Sequence, residues 1–78
     1  MAKFLINDKK AINLSNISEF GVSANYLKLT TDGGLGGRII SFVYGTEENL
    51  NRLFDAIVAF ASDDSASTFD CGEFMKTL

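Results

Sequence analysis

Apolar and polar residues alternate through most of the first half of the chain, and the period changes once, just after Gly45. Tyr26 to Thr31 alternates most cleanly. Leu27 and Leu29 fall on one side, Tyr26, Lys28 and Thr30 on the other, which is the pattern of a strand with one buried face. Lys3 to Asn7 forms a short strand closed by the polar turn Asn7-Asp8-Lys9-Lys10. Ala11 to Leu14 resumes the alternation with Ile12 and Leu14 on one face, Ser15-Asn16 kinks the chain, and Ile17 to Val22 continues extended. Gly21 marks a bulge or a bend within that strand, and Ser23-Ala24-Asn25 is a turn. Arg38 to Tyr44 behaves differently. Ile39, Ser41 and Val43 point one way, Ile40, Phe42 and Tyr44 the other, and both sides are largely apolar. Such a strand lies centrally in a sheet, or has its second face covered.

Beyond Gly45 the period becomes helical. Thr46 is a good N-cap, and Glu47 and Glu48 follow where the helix dipole favours negative charge. Leu50, Leu53, Phe54, Ile57, Val58 and Ala61 share one face, and the pattern predicts a helix to about Ala61. Ser62 to Thr68 is a small, polar loop. The tail carries Phe69, Cys71, Phe74, Met75 and Leu78, too apolar for a solvated end: a last strand, a short helical turn, or an anchor on a partner. The expected fold is therefore α+β, an antiparallel four-stranded meander with one amphipathic helix packed on a face and a short C-terminal extension. Residues 1–62 form the sheet-plus-helix domain, and 63–78 are a loop and apolar extension of it. The expected core is Phe4, Ile6, Ile12, Leu14, Ile17, Leu27, Leu29, Ile40, Phe42, Leu50, Leu53, Phe54, Ile57 and Val58.

Composition narrows the function classes. A chain of 78 residues is one small domain, and a hydrophobic share of 46% supports a folded core. The net charge of −3 gives no electrostatic reason to approach nucleic acid or an anionic membrane. Cys71 is the single cysteine and cannot form an internal disulfide, which fits a reducing compartment. The apolar run Phe4-Leu5-Ile6 is too short for a signal peptide, and no run approaches a membrane span, so a cytoplasmic protein is expected. The chain has no histidine, which removes the commonest general base and metal ligand and any Ser–His or Cys–His pair. No enzymatic activity, metal or cofactor is expected.

Gly33 to Gly37 places four glycines around Leu35. A phosphate-binding loop would lead into a helix, with Lys and Ser/Thr after the last glycine, whereas here Arg38-Ile39-Ile40 opens a strand. Asp32-Gly33 is instead a hairpin signal, so the stretch is expected to be a flexible loop between two strands. Asp63, Asp64, Asp70 and Glu73 lack the spacing of a calcium loop. Asp70 and Glu73 discourage a thiolate at Cys71.

The stretch INLSNISEFGVSANYLKLTTDG, from Ile12 to Gly33, with a following strand and the helix TEENLNRLF, resembles small bacterial and phage proteins. Those proteins are built of a few antiparallel strands and one C-terminal helix. The spacing Ile12-x-Leu14-x-x-Ile17 and the strand NYLKLTTDG also resemble the strand core of LytTR-type DNA-binding domains. That resemblance implies DNA binding, with no functional residue carried over.

The expected function is a non-enzymatic protein–protein interaction module, homodimeric or partner-binding. Its surplus apolar surface would lie at Tyr26, Ile39, Phe42, Tyr44, Phe69, Phe74 and Met75. Small phage and mobile-element proteins that bind and inhibit or regulate a host protein, CRISPR inhibitors among them, fit this description. The alternative is a nucleic-acid-binding transcriptional regulator using Lys9, Lys10, Lys28 and Arg38, with Tyr26 and Tyr44 stacking on bases.

Overall fold

In the computed structural model, which describes residues 2–32 and 39–78, the chain begins with β1 (Phe4–Asn7), β2 (Lys10–Asn13) and a 3-10 turn (Leu14–Asn16). It continues through β3 (Ile17–Ser23), β4 (Tyr26–Thr31), β5 (Ile39–Tyr44), α1 (Glu47–Ser62), β6 (Thr68–Asp70) and α2 (Cys71–Lys76). The class is α+β. The expected glycine loop and Arg38 lie outside the described residues, and of Ile39 only the backbone is described.

The single four-stranded meander is corrected to two three-stranded sheets, ordered β2-β1-β6 and β3-β4-β5. The division arises at residues 13–16. Asn13 Oδ1 accepts from the Ser15 backbone N–H at 3.0 Å and from Ser15 Oγ at 2.8 Å, and the Ile17 N–H closes the turn on Leu14 O. This side-chain competition for backbone groups ends β2 and turns the chain out of its sheet. β3 therefore pairs forward with β4, not back with β2. The hairpin β1–β2 turns on Asp8 (φ 50°) and Lys9 (φ 65°), the paired left-handed conformation of a type I′ turn.

α1 starts as the sequence predicts. Thr46 Oγ1 accepts from Asn49 N at 3.2 Å, and Glu47 and Glu48 occupy the first turn. Its other end has no basic residue in its own last turn. Lys3, just before β1, supplies one. Its ammonium donates to Phe60 O at 2.8 Å, to Ala61 O at 3.2 Å and to Asp63 O, and lies 5.2 Å from the centre of the Phe60 ring.

The tail is both strand and helix. β6 runs parallel to β1, with Leu5 opposite Phe69, and Asp70 Oδ1 caps α2 by accepting from Glu73 N at 3.1 Å. Residues from Thr68 onward thus complete the first sheet and close over the end of α1, where Phe60, Phe69 and Phe74 pack in series with their rings tilted.

The buried core is Leu5, Leu27, Leu29, Val43, Leu50, Leu53, Ile57, Phe60 and Cys71. Leu5, not Phe4 and Ile6, is the fully buried residue of β1. Val43, not Ile40 and Phe42, is the buried residue of β5. Val58, expected inside, is 45% exposed. α1 packs over β3 and β4, and α2 against β1 and α1. β5 is an edge strand, with β4 at the centre.

Candidate functional site: the open face of the second sheet

Register fixes which residues share the face turned away from α1. β4 pairs with β5 as Tyr26–Tyr44, Lys28–Phe42 and Thr30–Ile40, and with β3 as Tyr26–Ser23, Lys28–Gly21 and Thr30–Glu19. Leu27, Leu29 and Val43 lie in the core, so alternation sends Tyr26, Lys28 and Thr30, with their partners, to the opposite face. No described helix or strand lies across it. Ile40 is 47% exposed, Phe42 41% and Tyr44 68%.

The three rings form one cluster. Tyr26 meets Phe42 edge-on at 5.3 Å between centroids, and Phe42 and Tyr44 stack at 6.1 Å with planes 25° apart. Such pairs hold their rings in place through their quadrupoles and cross-strand contact. The cluster is therefore a preformed apolar ridge on the surface. The β1–β2 turn flanks it: Asn7 Nδ2 donates to Phe42 O at 3.3 Å, and Asn7, Asp8 and Lys10 line a recess of about 220 Å³ with Ile40, Ser41, Phe42 and Tyr44.

On the β3 side the same face sinks. A hollow of about 220 Å³ is lined by Glu19, Phe20, Gly21, Val22, Ser23, Lys28 and Thr30. Gly21 creates it, since a Cβ there would meet nothing within 4 Å. The register irregularity expected at Gly21 falls between Ile17 and Glu19, and Gly21 stays paired with Lys28. Thr30 is 3% exposed, and its Oγ1 has no hydrogen-bond partner among the described residues.

The sequence-predicted site residues divide between two places. Tyr26, Phe42 and Tyr44 come together on the open face, with Lys28 among them and Lys10 at the margin. Lys9 sits in the adjacent turn. Phe69, Phe74 and Met75 are instead half-buried against the core, with Met75 close to Gly45. Ile40, Gly21 and Thr30 were absent from the expected site. The alternation of Ile40 with Phe42 and Tyr44 was a visible signal for the first; the other two depend on register.

Cys71 is fully buried, and its thiol is pushed up to about 11, first by burial and then by the adjacent Asp70 carboxylate. The inert thiol expected from its acidic neighbours is thus mostly an effect of desolvation. Asp63 is held below the ordinary carboxylate range chiefly by hydrogen bonds from Ser65, with a further contribution from Lys3. Among the described residues no group of three His, Cys, Asp or Glu side chains is placed to hold a metal ion, and no helix is long and apolar enough to cross a membrane. Comparison with protein families, with curated proteins and with solved structures finds no match for this chain.

Proposed function

We propose that this chain is a non-enzymatic protein-interaction module, and that its contact surface is the open face of the β3-β4-β5 sheet. The carrying observation is the aromatic ridge of exposed Phe42 and Tyr44 with half-buried Tyr26, extended by exposed Ile40. Water contact with four large apolar side chains on one face is unfavourable, and rigid aromatic anchors ringed by polar residues are the usual content of a binding hot spot. The tail residues Phe69, Phe74 and Met75 support the fold in this reading, as their packing against the core suggests. The partner is a host protein or a second copy, and inhibition of a host protein by a phage or mobile-element product is the biological setting proposed.

Lys28 within the ridge and Lys10 beside it favour a second reading, a platform on which bases stack and phosphates meet lysines. Charge weighs against it. Asp8 and Glu19 flank the same surface, and seven of the ten acidic residues lie from Glu47 onward, so the molecule's field opposes a polyanion.

The test is a photo-reactive amino acid at position 44, compared with one at position 58 on the exposed side of α1, introduced in the native host. A protein adduct from position 44 and not from position 58 is the expected result. Nucleic-acid adducts from position 44 would replace this reading with the second. Adducts from position 58 alone would place the contact surface on the helix.

A further inference from the structure

Building on the open face as a protein-contact surface, we propose that the hollow over Gly21 receives a carboxylate from an acidic, apolar-flanked segment of the partner, with Lys28 as its counter-ion. Three independent features converge there. Gly21 lies in the interior of β3, where a glycine costs stability, and its backbone has no conformation that requires one. The gap it leaves lets another chain approach closely. Lys28 stands directly opposite Gly21, half-buried, with no ion pair among the described residues. Thr30 lines the same hollow, its Oγ1 buried beneath the surface and without a hydrogen-bond partner among the described residues. A carboxylate is an acceptor-only group and would take a charge-assisted hydrogen bond from the ammonium.

Glu19 also borders the hollow and defines what is excluded. A group seated over Gly21 is about 5 Å from the β4 position it faces and about 7 Å from Glu19, two residues along its own strand. One carboxylate is therefore nearer the cation than the anion. A strand of successive phosphates would run into Glu19 on one side and Asp8 on the other. The apolar residues flanking the partner's carboxylate would lie on Tyr26, Phe42 and Tyr44.

The test is selection from a display library of random short linear peptides on the full chain, repeated on Gly21→Gln and Lys28→Met. Gly21→Gln fills the hollow with a side chain that meets no neighbour at its Cβ, and Lys28→Met keeps the stem and removes the charge. Melting temperatures confirm that both variants fold. Peptides selected on the original chain are expected to carry Asp or Glu beside Leu or an aromatic residue. They should bind either variant about tenfold more weakly, the scale of one charge-assisted hydrogen bond lost at an interface. Selected peptides that bind the face without acidic residues, or that bind Lys28→Met equally well, would overturn the carboxylate site while leaving the interaction module standing. Selection of nothing, displacement by oligo(dT), or concentration-dependent self-association through these residues would also overturn it. Failure of the crosslink from position 44 as well would remove both.

Discussion

Replacing Lys3 by Met should cost this protein more stability than a half-buried lysine just before β1 would suggest. The ammonium donates to three carbonyls at the end of α1 and lies over the Phe60 ring, while α1 has no cation of its own there. The bond to Phe60 O is part-buried and the other two are exposed, so they do not count equally. A charged donor in a partly shielded bond contributes about 1.5 kcal/mol, and the exposed bonds add little. Charge at a helix C-terminus contributes about 0.5 kcal/mol, with a similar amount from the ring. The contributions overlap because one group makes them all, so the expected loss is about 2 kcal/mol. For a domain of this size that lowers Tm by about 10 °C. Methionine keeps the apolar stem, so the loss reports the head group. Lys3→Arg should recover most of it, since the guanidinium also donates to several carbonyls. Urea titration and thermal melting of the three proteins measure this directly. A loss below about 0.5 kcal/mol for Lys3→Met, or an equal loss for Lys3→Arg, would refute the capping role.

The two faces of β5 should respond oppositely. Val43→Ala, inside the core, should cost about 2 kcal/mol in urea unfolding, and Phe42→Ala, on the open face, less than about 1 kcal/mol. A reversed order would show that β5 is turned the other way. Lys9→Gly should stabilise the fold by about 0.5–1 kcal/mol, because Lys9 holds a left-handed conformation that glycine adopts without steric cost; a loss in Tm would contradict the turn geometry. Cys71 should resist alkylation at pH 8 until the protein unfolds. Its raised folded pKa means its contribution is intact below about pH 9 and is lost as pH rises through about 11, where the unfolded thiolate is favoured. Rapid labelling of the folded protein at pH 8 would place Cys71 at the surface.

How much was legible in the sequence depends on how locally each feature is determined. α1 and β4 were legible because each carries its own phase: Thr46 and the glutamates fix the helix start, and Lys28 separates Leu27 from Leu29. In β1 and β5 the phase is ambiguous. Phe4, Leu5 and Ile6 are all apolar, and so are most residues of Ile39–Tyr44, so a one-residue slip leaves an equally plausible buried set. That is why Leu5 and Val43 are buried where Phe4, Ile6, Ile40 and Phe42 were expected. The two-sheet topology was not legible because the β1–β6 pairing joins the two ends of the chain, and the Asn13 cap that diverts β2 resembles an ordinary kink. Cys71 and Phe60 became core residues only because the tail folds back onto α1.

The candidate site divides the same way. The aromatic residues of the open face were visible as the second apolar side of one strand. The hollow over Gly21 was not, since it exists only once register sets Gly21 against Lys28 and Thr30 beside it.

The whole account rests on Ile40, Phe42 and Tyr44 facing water in the free protein. Paramagnetic relaxation of side-chain protons by a soluble gadolinium chelate, followed over a range of protein concentrations, measures this directly. Strong relaxation at Phe42 and Tyr44 at low concentration, beside protected Leu27, Leu29 and Leu50, is the predicted result. Protection of Phe42 and Tyr44 equal to that of Leu29 at every concentration would mean that the face is already covered by its own chain, and the proposed contact surface would not exist.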